Sequence, residues 1–269
     1  MANDASNKLL DDARLREALG ARPFRFAVQV GSTNDIARDW ALNGAPTGAV
    51  VLTEEQIAGR GRFGRVWTAP PGSALLMSII LRPRITPQNV GRLTMVGAVA
   101  VAEGLENLSE QIKRPPQMVT LKWPNDVLLA GRKVAGILPE AIWQGQALSA
   151  VIVGIGLNVS VDFTGTGLED QAISVETGVR VPVDRLALLD AILHRVDFWA
   201  ARAMDSSLLD AWRTRLETLG KRIVAQSAAG EIGGQAVDVD EDGALLVRAD
   251  DGTMQRIVAG EVTLTGEHH

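Results

Sequence analysis

Apolar and polar positions along this chain follow patterns that predict a strand-rich core with helices packed over it. Residues 7–19 (NKLLDDARLREAL) place apolar side chains at helical spacing and stop at Gly20, a residue that ends helices readily. Phe24 to Val30 alternates like a half-buried strand. Ser32-Thr33-Asn34-Asp35 then opens a second helix with a capping-box-like start, and that helix ends near Gly44. Val50–Glu54 and Ala74–Leu81 are short buried strands on either side of the loop QIAGRGRFGRVWTAPPGS. Residues 88–108, after Pro87, form a long helix rich in small residues.

The chain then turns strand-rich. Met118–Lys122, Val127–Leu129, Lys133–Ile142 and Ala147–Val159 are separated by turns that include Gly131 and Gly145. Two helices follow, near residues 184–203 and 206–218. Without a steady strand–helix alternation, the expected class is α+β, a mixed sheet flanked by helices. After Gly220 the texture changes to short β-type runs broken at Gly233-Gly234, Asp242-Gly243 and Asp251-Gly252, pairs that suit tight turns. Residues 1–219 are therefore expected to form a main domain, and residues 220–269 a small all-β barrel.

Composition narrows the chemistry. With 269 residues, 46% hydrophobic and 22% charged, the chain has an ordinary globular make-up. No apolar run approaches the roughly 20 residues that cross a bilayer, and the N-terminus MANDASNKLL carries Asp4 and lacks the basic start and apolar stretch of a signal peptide, so a cytoplasmic location is expected. There is no cysteine, which excludes disulfides, thiol nucleophiles and thiolate-held zinc or iron–sulfur clusters. Of three histidines, His268 and His269 are terminal and fit a purification tag. His194 lies in an apolar helical stretch that predicts a core or half-buried side chain rather than a catalytic one. Lysine, arginine, carboxylates and backbone amides are left to do the work.

The formal net charge of -5 argues against general nucleic-acid affinity. Its distribution says more. Between Glu55 and Glu103 there is no acid, while Arg60, Arg62, Arg65, Arg82, Arg84 and Arg92 all fall there. Such a zone predicts a local anionic ligand, with Arg82, Arg84 and Arg92 expected to face solvent.

Two segments carry candidate chemistry. Gly59-Arg60-Gly61-Arg62-Phe63-Gly64-Arg65 formally fits a dinucleotide fingerprint, but Pro70-Pro71-Gly72 follows where a helix is required, and no ribose-binding acid occurs at the right distance. Its glycines instead let the backbone approach a ligand, and its arginines offer forked donors to phosphate or carboxylate oxygens. A solvated basic loop has the same composition. The second segment, Lys122-Trp123-Pro124-Asn125-Asp126, is either a structural hairpin turn or a strand end that delivers a lysine, an amide and a carboxylate to one rim. Arg132-Lys133-Val134-Ala135-Gly136 adds a second lysine nearby.

Taken in order, GRGRFGR, Trp67, KWPND, RKVAGIL and GIGLNV resemble the biotin protein ligases, from about Ser32 to Asn158, and the C-terminal AGEV is similar to that family's last domain. The resemblance implies a catalytic domain of the class II aminoacyl-tRNA synthetase type with a small Src-homology-3-like barrel. It implies biotin contacts at Ser32, Thr33, Asn34, Gln56, Arg60, Gly61, Arg62, Lys122 and Gly136. Nucleotide contacts would fall on Arg62, Arg65, Trp67, Asn125, Lys133 and Asn158, and the reaction itself on Arg60, Lys122, Asp126 and Lys133. Ile57 stands where the family often has a polar residue. Only 31 residues precede Ser32, which points to the type without a DNA-binding repressor domain, so no DNA binding is expected.

The implied reaction joins biotin to ATP as biotinyl-5′-AMP, then transfers biotin to a lysine of the biotin carboxyl carrier domain of acetyl-CoA carboxylase or a related carboxylase. ATP and biotin are substrates, Mg2+ accompanies ATP with ligands unassigned, and zinc, haem, flavin and membranes play no part. A monomer or weak homodimer is expected. The rival readings are a lipoate–protein ligase and, from another class, a nucleic-acid-binding module; the latter is opposed by the absence of tyrosine and an aromatic content of 4%.

Overall fold

The computed structural model describes residues 9–112, 118–227 and 230–264. In chain order the elements are α1 (Asp12–Leu19), β1 (Phe24–Val30), α2 (Thr33–Leu42), β2 (Val50–Gln56), β3 (Ala74–Leu81), α3 (Arg92–Gln111), β4 (Val119–Lys122), β5 (Asp126–Leu129), β6 (Arg132–Gln144) and β7 (Ala147–Asn158). The helices α4 (Val175–Val179), α5 (Arg185–Ala200) and α6 (Ser206–Arg213) follow. The chain then forms β8 (Arg222–Ser227), β9 (Gly230–Val239), β10 (Leu245–Ala249), β11 (Met254–Ile257) and β12 (Glu261–Leu264).

Seven strands form one sheet in the order β1-β2-β3-β7-β6-β5-β4. Only β1 and β2 run parallel, so the sheet is mixed. One face is covered by α3, and Gly97 makes that contact close: a Cβ there would stand 2.8 Å from Ile137 Cγ2. Helix α5 packs behind α3, with Gly104 against Ile192. Buried Leu75, Met77, Ile79, Val96, Val153 and Ile155 fill the space between sheet and helices.

Residues directly opposite one another in antiparallel pairs point to the same face. The register therefore makes one continuous row, Leu76–Gly156–Gly136–Asp126–Lys122, across five strands. The neighbouring row is Ser78–Gly154–Leu138. Three glycines thus lie on the face away from α3, where the missing side chains leave a floor.

A second, five-stranded antiparallel sheet follows in the order β11-β10-β9-β8-β12. Asp242-Gly243 and Asp251-Gly252 turn between its strands, with φ of 85° and 86° at the glycines. Gly233-Gly234, by contrast, was expected to break a strand and lies inside β9. A Cβ at Gly234 would stand 2.3 Å from the Arg248 carbonyl oxygen, so this glycine serves close strand contact rather than a turn.

Several sequence expectations need correction. Helix α1 begins at Asp12, capped by Asp11, which accepts from the Arg14 N–H at 2.9 Å; residues 7 and 8 lie outside the described residues, as do His268 and His269. Ser32 sits at the N-cap of α2 but makes no capping hydrogen bond. Helix α6 stops at Arg213 because Leu216 leaves it to bridge Leu121 on the outer edge of β4. His194 is not in the core: its side chain is 71% exposed beside Asp190. Arg92 does not face solvent either; it is buried and donates to the carbonyls of Ala203, Glu241 and Asp205 at 2.6–2.9 Å. Arg82, half-buried, serves the carbonyls of Ala41, Ala45 and Ser149. A five-donor fork is well suited to serving several carbonyls at once. Arg84 is exposed, as expected.

Candidate active site

The site is built on the glycine floor. At one end, the first turn of α2 meets β3 and β2 in a buried polar cluster. Ser78 Oγ, fully buried, lies 2.7 Å from Thr33 Oγ1 and 2.6 Å from Asn34 Oδ1. Gln56 Oε1 accepts from the Thr33 N–H at 2.8 Å and from its hydroxyl at 3.1 Å. Asn34 Nδ2 reaches the Leu138 carbonyl at 3.4 Å. Ser32 is buried beside them. Gly154 makes the arrangement possible, since a Cβ there would stand 2.5 Å from Asn34 Oδ1. Hydroxyls and amides held in fixed orientations are suited to a small, neutral, hydrogen-bonding ring.

The arginine–glycine loop lies next to this cluster. Arg60 pairs antiparallel with Val66, the Gly61 N–H donates to the Arg65 carbonyl at 2.7 Å, and the Trp67 N–H donates to the Gly59 carbonyl at 3.0 Å. At the tip, Phe63 takes φ 55°, a left-handed conformation uncommon for a residue with a Cβ. The three arginines diverge. Arg60 binds Asp35 with both terminal nitrogens, at 2.8 and 2.7 Å, and reaches Glu140 at 3.2 Å. Arg62 Nη1 meets Asn125 Oδ1 at 3.4 Å. Arg65 turns outward to Glu261 of β12.

Burial holds the Arg62 pKa below the usual guanidinium range, although the charges of Asp126 and Glu261 oppose the shift. An anion arriving beside Arg62 would relieve that cost. Glu140 behaves in the opposite sense: burial raises its pKa, but hydrogen bonds from Asn34, Arg38 and Arg60 outweigh burial and leave it below the ordinary value.

The lysine–tryptophan turn supplies the facing wall. Lys122 ends β4 directly across from Asp126, and Asp126 Oδ1 is 2.7 Å from Lys133 Nζ. Buried Trp123 anchors the turn, donating from Nε1 to the Gly243 carbonyl at 2.9 Å, while its own N–H donates to Thr218 Oγ1 at 3.0 Å. Asn125 is held by two hydrogen bonds with the Ile137 backbone. A cavity of about 250 Å3 lies between Arg62 and the turn residues Pro124 and Asn125 on one side and the start of α3, Trp212 and the Asp242-Gly243 turn on the other; of the predicted site residues it includes Arg62 and Asn125. A larger cavity of about 360 Å3 lies along the outer side of β1 and includes none of the predicted site residues.

Trp67 lies over the middle of the floor. A Cβ on Gly156 would stand 2.5 Å from its ring, and one on Gly136 3.1 Å away. Lys133 Nζ is 5.6 Å from the ring centroid. The indole N–H is buried with no hydrogen-bond partner, leaving a donor available there. Asn158, two residues beyond Gly156 and therefore on the same face, is buried and reaches the Ile173 carbonyl at 3.5 Å. Among the described residues, no group of three acidic or histidine side chains gathers to hold a metal ion. Magnesium in such a site would be carried chiefly by nucleotide phosphates and water, as is usual for that cation.

A profile of the biotin/lipoate A/B protein ligase family matches residues 26–158, and one of the biotin protein ligase C-terminal domain matches residues 218–264. A biotin–[acetyl-CoA-carboxylase] ligase of Paracoccus denitrificans is 36% identical over 225 residues, covering 81% of this chain and 91% of the relative. This chain belongs to the biotin protein ligase family. Another biotin–[acetyl-CoA-carboxylase] ligase, from Mycobacterium tuberculosis, is 35% identical over 251 residues, or 88% of this chain and 90% of the relative. Among solved structures, a biotin protein ligase from Aquifex aeolicus in complex with biotin and ATP shares 27% identity with a TM-score of 0.75, covering 90% of this chain and 98% of that one.

On this biotin protein ligase scaffold, Thr33, Asn34 and Gln56 meet in the polar cluster, Trp67 and Lys133 meet Asp126, Gly136 and Gly156 on the floor, and Arg62 meets Asn125. Arg60 is held by Asp35 and Glu140, and Arg65 leaves for the C-terminal sheet. Sequence reasoning missed three side chains that touch them. Ser78 is hidden in the apolar run ALLMSIIL, though a lone hydroxyl at an otherwise apolar core position was a readable signal. Asp35 was noted only as part of a helix start, and Glu140 looked like an ordinary strand position. Neither offered a local signal, because their partner Arg60 is 25 and 80 residues away.

Proposed function

We propose that this biotin protein ligase activates biotin with ATP as biotinyl-5′-AMP and passes the biotinyl group to a lysine of the biotin carboxyl carrier domain of acetyl-CoA carboxylase or a related carboxylase. The observation that carries the reading is the meeting of Arg62 with Asn125, which brings the cationic loop against the lysine turn, so that both border one cavity. The names of the Paracoccus denitrificans and Mycobacterium tuberculosis relatives support the acceptor. A monomer or a weak homodimer is the expected assembly. The need for ATP suits a cytoplasmic location.

The chemistry follows from charge. In the first step a carboxylate oxygen of biotin attacks the α-phosphorus of ATP and pyrophosphate leaves. The nucleophile is already an anion, so no strong base is needed; the barrier is repulsion between two anions. Lys122 and Arg62 neutralise oxygens on the two reactants and hold them in line. Thr33, Asn34, Gln56 and Ser78 fix the fused rings of biotin at the far end of the floor. Trp67, Lys133 and Asn158 face the nucleotide.

In the second step the neutral lysine amine of the acceptor attacks the acyl carbon of the mixed anhydride, and AMP departs. Asp126, on the same face as Lys122, orients that amine and takes its proton. The loop excludes water while the anhydride waits. Incubating the protein with ATP, magnesium, an apo carrier domain and either biotin or lipoate, then weighing the carrier, tests the reading. A biotinyl adduct is expected. A lipoyl adduct alone, or no adduct, overturns it.

A further inference from the structure

Arg60 carries the first positive charge of the loop, yet its charge is already matched. Its guanidinium forms a two-pronged pair with Asp35 and a further bond to Glu140, and Glu140 also takes Arg38 at 3.0 Å. Two arginines and two carboxylates thus balance to zero. Arg62 differs: its hydrogen bond is to the neutral amide of Asn125, and burial disfavours its charge. Of the two, Arg62 is the better counter-ion for a phosphate or carboxylate.

Asp35 lies on the first turn of α2, two residues after Thr33, and Glu140 lies two residues along β6 from Leu138. Both belong to the elements that form the buried polar cluster. Arg60 in turn is paired through its backbone with Val66, next to Trp67. Fixing the Arg60 side chain therefore fixes both strands at the root of the loop, and with them the Trp67 ring on Gly156. We propose that Asp35 and Glu140 are positioning residues, which act through Arg60 to set the root of the anion-binding loop against the biotin-ring cluster, and that Arg60 does not itself meet the reacting oxygens. This inference rests on the biotin ligase reading of the site and revises the direct catalytic role expected for Arg60 from sequence.

The test compares Arg60→Gln, Asp35→Asn, their double variant and Asp35→Glu in the full chain. Positioning predicts that each of the first two raises KM for biotin and ATP about five- to tenfold with kcat within about twofold. The double variant should be no worse than Arg60→Gln alone, because both remove one interaction. Asp35→Glu, which keeps the carboxylate, should recover most of the loss. Amide exchange across residues 59–67 without substrates should quicken in Arg60→Gln and Asp35→Asn. A large fall in kcat for Arg60→Gln, with Asp35→Asn like wild type in both kinetics and exchange, overturns the proposal in favour of direct contact. Failure of the wild-type protein to make biotinyl-5′-AMP would instead overturn the ligase reading, while the exchange measurement still decides whether Asp35 and Arg60 hold the loop.

Discussion

Lys122 shows how much a single position depends on its neighbours across the sheet. As the last residue of β4, it has a backbone fixed by pairing with Asp126, and the same row continues through Gly136 and Gly156. Its charge is therefore delivered to the glycine floor by a rigid strand rather than by a loop. A cation held there lowers the cost of bringing biotin's carboxylate to the α-phosphate, and loss of one such preorganised group commonly costs about a hundredfold or more in rate. Lys122→Ala should accordingly abolish most pyrophosphate release in the presence of biotin and ATP, with the melting temperature little changed because the side chain is only half-buried. Near-normal pyrophosphate release would remove Lys122 from the reaction. Arg60, equally cationic and nearer in sequence to the other loop arginines, has its charge answered by two carboxylates. Residue type alone did not show that Arg60 is held by carboxylates; its partners did.

At the scale of elements, the floor is a property of strands β6 and β7, whose glycines leave room for neighbouring side chains, Gly154 for Asn34 and Gly136 and Gly156 for Trp67. Gly154 is the sharpest case, since an added methyl would meet Asn34 Oδ1 at 2.5 Å and its amide carbon and nitrogen at 3.1 Å. Asn34 is tied to Ser78 and to the Leu138 carbonyl, so it cannot yield without breaking the polar cluster. Gly154→Ala should lower biotin affinity about tenfold or more and destabilise the fold by about 1–3 kcal/mol, the usual cost of overpacking. Isothermal titration with biotin and a denaturant melt check both halves; unchanged affinity would place biotin elsewhere. The glycine pattern GIGLNV was legible in the sequence, as were the strands that carry it, because apolar runs between turn residues are strong local signals. Helix α4 was not legible, being only five residues long, and α6 was drawn too long because its periodicity continues past the point where the chain leaves to cover β4. Ser78 left a local signal, a lone hydroxyl in an apolar run, but Asp35 and Glu140 escaped because their roles are set by partners in other elements, of which local spacing carries no record.

Across the whole molecule, the C-terminal sheet is joined to the catalytic side by hydrogen bonds from the lysine turn and from the start of α3. Trp123 Nε1 donates to the Gly243 carbonyl, buried Arg92 donates to the Glu241 carbonyl, and Asn89 Nδ2 donates to Asp242 Oδ1 at 2.9 Å. Trp123 belongs to the lysine turn and Arg92 starts the helix beneath the floor, so these bonds reach the site through its rigid parts. Arg65 with Glu261 is a different kind of link. Both side chains are substantially exposed, and a pair of that kind contributes about 0–1 kcal/mol. Its effect should appear in the loop rather than in global stability. A chain ending after residue 219 would remove the carbonyls to which the Trp123 indole and part of the Arg92 fork donate, at about 0.5–1.5 kcal/mol for each hydrogen bond lost. It would also uncover Met95 and Trp212, which pack close to Gly243. Such a truncation should lower the melting temperature markedly and slow adenylate formation even with saturating biotin and ATP. Glu261→Gln, in contrast, should leave the melting temperature near wild type and act only on how tightly the loop retains biotinyl-5′-AMP. Calorimetry and adenylate release measured on the two variants separate these contributions. A truncated chain as stable and as active as the full one would mean that the second sheet is a passenger, and that the lysine turn holds its shape without it.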